Sequence, residues 1–159
     1  MAKTFLLDTN VLLDYADVDR TGHQCAFDFI VEALGQGARL LVTPCSFKDL
    51  YYCTCLAEKR SLRAMGVDID EAASAQINEA AFSLVDTVTS FVTTLSNAPN
   101  DPRIALKLKG SHFDFEDNLL IAAAMHVAEC ILVTSDKQLL LHAPVPSMSP
   151  SAALANLRA

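Results

Sequence analysis

Short continuous apolar runs alternate along this chain with longer segments whose hydrophobic positions recur at helical spacing. Residues 4–8, 39–43 and 130–133 have the length and continuity of strands buried on both faces. Residues 91–95, β-branched and aromatic, predict a third short strand, with continuation of the preceding helix as the alternative, and residues 145–148 a short edge strand. Between them the pattern predicts a short helix from about Asn10 and a longer one from about Asp19 to Gly35, with Gly35 and Gly37 ending it. Ser46 is expected to cap a helix running to about Arg60. Ile77, Ala81, Leu84 and Val88 mark a long helix from near Asp70, and Asp101 with Pro102 opens another that ends near Gly110. An apolar helix follows Asp114, and a last one starts at Ser149 or Ser151. Strands alternating with helices imply a parallel sheet. The expected class is α/β: a three-layer α/β/α sandwich around a mainly parallel sheet of four to five strands, as one domain over residues 1–159.

Polar residues stand where the strands end. The first run stops at Asp8, followed by Thr9, Asn10 and, one turn on, Asp14; the run ending at Val133 repeats the pattern with Thr134, Ser135 and Asp136. Ligands of open α/β sheets bind beyond the carboxyl ends of the strands, so Asp8 and Asp136 are expected on one rim. Capping accounts for single residues of this kind, and Asp114 with Asp117 has N-cap and N3 spacing. However, Asp117 falls in line with Leu120, Ile121, Ala124 and Ala128, the face expected to pack inward, where an unpaired carboxylate is costly. Asp49 leads a stripe with Cys53 and Leu56. Four carboxylates converging without Lys or Arg neighbours repel one another unless a cation intervenes, and hard oxygen donors suit Mg²⁺ or Mn²⁺.

Composition adjusts this picture little. The 159 residues are 52% hydrophobic and 19% charged, rich enough for a covered sheet or a dimer face. The net charge of −7 argues against binding polyanions through cations, since phosphate contacts normally use Lys and Arg; Lys107 and Lys109 are the local exception and read as a solvated helix end. Acids gathered round a divalent cation would produce the same total. Five cysteines without zinc-type pairing read as small, reduced core thiols. His23, His112, His126 and His142 make no metal-binding spacing with one another, and His126 reads as a boundary histidine. No run is long enough to span a bilayer and no secretory signal is present, so the expected location is cytoplasmic.

At residues 7–12 (Leu-Asp-Thr-Asn-Val-Leu), at Asp114-Phe115-Glu116-Asp117 ahead of Ala122 and Ala123, and at Thr134-Ser135-Asp136, the chain resembles the PIN-domain ribonucleases, and within them the VapC-like toxins and their standalone relatives. The resemblance covers nearly the whole chain, with order and spacing in register. It implies an α/β/α sandwich and Mg²⁺- or Mn²⁺-dependent endonucleolytic cleavage of RNA. Asp8, Asp117 and Asp136 match the metal-binding acids, and Asn10 and Thr134 match positions that orient acids or water. Asp114 and Glu116 sit beside the ligand, where they are expected to hold an outer-shell water. The family usually carries Glu where Asp49 stands; Asp is one methylene shorter, which leaves Asp49 to reach metal through water and weakens the site or changes its metal preference. Toxin-like members imply an antitoxin protein as partner and a homodimer.

Two other readings remain at this stage. A PIN-like module that binds RNA or a protein without cutting fits the acidity and the shortened Asp49. A phosphatase or receiver domain with an aspartyl nucleophile also uses an Asp at a strand end, yet phosphatases resembling the haloacid dehalogenases want a second Asp two residues on, where this chain has Asn10.

Overall fold

The structure, a computed structural model, describes residues 2–159. Strands β1 (Thr4–Leu7), β2 (Arg39–Val42), β3 (Thr93–Thr94), β4 (Cys130–Val133) and β5 (Ser147–Met148) form a sheet in the order β3-β2-β1-β4-β5, with every neighbouring pair parallel. The helices are α1 (Thr9–Ala16), α2 (His23–Gly35), α3 (Pro44–Ala64), α4 (Glu71–Thr89), α5 (Asp101–Leu108), α6 (Phe115–Met125), α7 (Lys137–His142) and α8 (Pro150–Arg158).

The period-two alternation of strand side chains divides the core into two layers. Phe5 and Leu7, Leu40 and Val42, and Val133 pack on one face with Val11 and Leu12 of α1, Phe29 and Ile30 of α2, Leu50 of α3, Val88 of α4 and Leu157 of α8. Leu6, Leu41 and Leu132 are one residue out of phase, and pack on the other face with Leu120 and Ile121 of α6 and Leu139 of α7. Both faces are covered, so every strand position can be apolar, which is why the strands read as unbroken runs. The expected sandwich is formed, with five strands.

Strand order fixes where a ligand can enter. From β1 the chain winds outward through β2 to β3, and then returns to the other side of β1 for β4 and β5. The direction of winding reverses between β1 and β4, and a crevice opens beyond the carboxyl ends of strands at such a reversal. Leu7 lies opposite Val133 in register, and the Asp8 amide donates to the Val133 carbonyl at 3.0 Å. The next residues of the two strands, Asp8 and Thr134, therefore emerge side by side.

Several expectations are corrected in detail. The second helix starts at His23 rather than Asp19, because Asp19 is used in a turn on Asp17 and residues 20–23 gather round Asp14. The cap of α3 is Thr43, whose hydroxyl accepts the Ser46 amide at 3.3 Å; Pro44 takes the first helical position, where its fixed φ and missing N–H cost nothing, and the helix continues to Ala64. The third strand shrinks to two residues, with Phe91 turned into the core against Tyr15 at 5.5 Å between ring centroids. The six-residue α7, which the apolar pattern left unread, follows Asp136. Only Cys55 and Cys130 are buried thiols; Cys25 and Cys53 are exposed and Cys45 is intermediate, all five free. His126 does stand at a boundary, ending α6 with Nε2 2.7 Å from Oδ1 of the fully buried Asp101.

Candidate active site

Asp8 occupies the N-cap position of α1 but its side chain makes no capping hydrogen bond. The carboxylate turns to the crevice, 6% exposed, where Oδ2 accepts from the Thr134 hydroxyl at 2.7 Å and from Asn10 Nδ2 at 3.4 Å. Thr134 is wholly buried and its oxygen also accepts the Asp136 amide at 3.0 Å, so one hydroxyl ties the ends of two parallel strands together. Burial pushes the Asp8 carboxyl above its ordinary range. Thr134 and Asn10 draw it partly back, while the Asp117 charge adds to the rise.

The second carboxylate comes from α6. Asp114 caps that helix, its Oδ1 accepting the amides of Glu116 at 2.8 Å and Asp117 at 3.2 Å, which sets the first turn against the crevice. Asp117 does not disappear into the core as its periodicity suggested: the side chain is 25% exposed, at the rim. Its Oδ2 lies 2.7 Å from His112 Nε2. Burial raises the Asp117 carboxyl; His112 lowers it, and the charges of Asp114 and Asp136 raise it further.

Asp8, Asn10, Asp49, Asp114, Glu116 and Asp117 together line a groove of about 270 Å³. Asp136 lines an adjoining hollow instead, and its Oδ1 caps α7 by accepting the amides of Gln138 at 2.6 Å and Leu139 at 3.1 Å. Its influence on the groove is the charge it presents to Asp117.

Two neighbours escaped the sequence reading. The expectation of carboxylates without a cation beside them is wrong for Asp49 and Glu116: Lys48 Nζ lies 3.0 Å from Asp49 Oδ1 and 3.1 Å from Glu116 Oε1. These partners, Asp49 foremost, raise the Lys48 pKa and keep it charged. Asp49 thus enters the groove already paired. The signal was present, since Lys48 adjoins Asp49, but its link to Glu116 spans 68 positions and needs the fold. His112 was passed over because its spacing of five from Asp117 crosses a helix start, where no periodicity applies. Asn118, nearly buried, fixes that loop by donating to the His112 carbonyl at 2.9 Å.

Whether these residues suit a metal ion rests on their chemistry. Among the described residues no three His, Cys, Asp or Glu side chains already enclose a metal position. The donors are nevertheless hard carboxylate oxygens whose proton affinity is raised first by burial and then by neighbouring negative charge, Asp117 acting on Asp8, and Asp114 and Asp136 acting on Asp117. One oxygen of each is committed, Asp8 Oδ2 to Thr134 and Asn10, and Asp117 Oδ2 to His112, which leaves the other for a ligand. This donor set fits a divalent cation in kind.

A parallel α/β sheet with an acidic crevice at its winding reversal defines a class of α/β protein whose ligand site lies beyond the carboxyl ends of the strands. A family model described as PIN domain matches residues 4–138, and the chain belongs to the PIN domain family, whose members are generally nucleases. No curated protein matches it in sequence. Among solved structures it is similar to VapBC2 from Rickettsia felis, crystallised bound to a DNA fragment from their promoter, with a TM-score of 0.63 at 15% identity over 92% of this chain and 98% of that one. It is similar also to PAE2754 from Pyrobaculum aerophilum (TM-score 0.61, 19% identity, 99% and 91% covered) and to VapBC-1 from nontypeable Haemophilus influenzae (0.61, 14%, 93% and 98%). At such identities the likeness is one of fold.

Proposed function

We propose that this protein is a divalent-metal-dependent endoribonuclease, with Asp8 and Asp117 as the principal holders of Mg²⁺ or Mn²⁺ and with Asp136 and Asp49 serving through outer contacts. The observation that carries this reading is geometric: the carboxyls of Asp8, just beyond β1, and Asp117, on α6, line one groove, each with an oxygen left uncommitted. Thr134 and Asn10 hold Asp8 in one orientation. His112 holds Asp117, and Asp114 and Glu116 line the groove beside it. The cation, when bound, supplies the charge that reconciles these carboxylates with a phosphodiester and lowers the pKa of a coordinated water. Val18 and Leu56, exposed along an adjoining hollow of about 520 Å³, and the VapBC assemblies among the similar structures support a protein partner of the antitoxin kind, and a homodimer is part of the same proposal.

The test is cleavage of a long unstructured RNA in Mn²⁺, in Mg²⁺ and in EDTA by the protein and by Asp8→Asn and Asp117→Asn. Cutting that needs the metal and vanishes in both folded variants is expected. One specific observation favours the runner-up, a module that binds RNA or protein without cutting: Lys48 already neutralises Asp49 and Glu116. Metal binding and RNA binding by a protein that cuts nothing would establish that reading instead.

A further inference from the structure

The hollow beside the groove contains a preorganised cation. Asp14, on α1, is almost fully buried and accepts from Ser135 Oγ at 2.8 Å and from Arg20 Nε at 2.6 Å. Its own carbonyl lies 3.0 Å from His23 Nδ1, so the loop from Asp17 to His23 is fastened to this residue at Arg20 and at His23. Gly22 makes the fastening feasible, since a β-carbon there would stand 2.3 Å from Asp14 Oδ2. The guanidinium is therefore held by its Nε edge, with no partner on Nη1 or Nη2 among the described residues, and the side chain is 39% exposed. It lines a hollow of about 340 Å³ together with Asn10, Thr21, Ser135 and Asp136. Asn10 lines the carboxylate groove as well, so the two depressions are contiguous. Among the described residues lining either one, Arg20 is the one cation.

We propose that Arg20, aligned by Asp14, is a phosphate subsite that grips a backbone phosphate of the RNA strand neighbouring the one cleaved in the carboxylate groove. The inference rests on the nuclease reading and extends it to how an acidic protein retains a polyanion. A guanidinium fixed along one edge presents its remaining N–H groups as a fork, the arrangement that suits phosphate oxygens and that an ammonium group cannot copy.

The experiment measures affinity for a labelled single-stranded RNA across a salt series at fixed Mg²⁺, in an Asp8→Asn parent that leaves the strand intact. Arg20→Gln is expected to bind about tenfold more weakly and to reduce the slope of log affinity against log salt by about 0.7, the share of one phosphate contact on a single strand. Arg20→Lys should keep most of the slope and lose several-fold in affinity, because charge survives and the fork does not. Unchanged affinity and slope in a folded Arg20→Gln overturn the subsite; a lowered melting temperature with no change in slope does so too, as the mark of a structural residue. If Arg20→Gln fails to fold, Arg20→Lys decides: wild-type affinity refutes the proposal and several-fold weakening supports it. Metal-dependent cutting by the wild type alongside unchanged affinity in Arg20→Gln overturns the subsite alone, whereas a wild type that cuts no RNA in Mg²⁺ or Mn²⁺ overturns the nuclease reading and this subsite with it.

Discussion

The hydroxyl of Thr134 donates to Asp8 Oδ2 at 2.7 Å inside the protein, across 126 positions of sequence. That bond holds a buried carboxylate in place and lowers its proton affinity, against burial, which raises it. Thr134→Val keeps the shape and removes the donor. The expected results are a further rise of the Asp8 pKa and a loss of roughly 1–3 kcal/mol in stability at neutral pH, since an ionised group then loses a buried partner. Denaturant melts at pH 7 and pH 4.5 check this: the deficit should shrink at the lower pH as Asp8 takes up its proton.

Asp8 itself is expected to reduce stability. Its folded pKa lies above the ordinary value of 3.8, so the folded state prefers the protonated form. The stability this gives is fully present below pH 3.8 and is lost as pH rises through the folded value. At pH 7 in EDTA, Asp8→Asn should therefore melt higher than the wild type, with the gain disappearing on acidification. A variant that melts well below the wild type at pH 7 would assign Asp8 a structural role.

The raised carboxyls also predict how metal should act. Mn²⁺ added to the metal-free protein is expected to raise the melting temperature at pH 7, because it binds the ionised folded state and not the unfolded chain. The increment should fall as pH is lowered through the raised values of Asp8 and Asp117, where protons compete. It should be absent from Asp8→Asn. Thermal melts at several pH values with and without chelator read it directly.

His112 is expected to set the acid limb of activity. It lowers the Asp117 carboxyl, so His112→Ala should let that carboxyl rise and move the acid limb of the pH-rate profile for RNA cleavage to higher pH. A profile that keeps its shape while the rate falls uniformly would contradict the assignment.

Asp114 has two separable effects, a cap and a charge. Asp114→Ala should cost about 1 kcal/mol through the two amides left without an acceptor. Asp114→Ser should retain most of the stability while removing the charge that raises Asp117. Comparison of the two by thermal melting and by the pH dependence of cleavage separates the roles.

The sequence alone determined the sandwich, and it did so because strands buried on both faces must be apolar throughout. Residues 4–7, 39–42 and 130–133 had no other place to go, and the acids following two of them marked the rim in advance. Asp114 as a cap was likewise legible, since capping is a local bond between near neighbours. Tertiary structure decided everything that depends on distant residues meeting. Lys48 reaches Glu116, Asp14 gathers Arg20 and Ser135, and Asp136 stands in the hollow beside the groove rather than in it. None of these is periodic, so no pattern along the chain announces it. Hydrophobic spacing records which face is buried; the pairing of charges records which loops the folded sheet brings together, and only the strand order β3-β2-β1-β4-β5 contains that information.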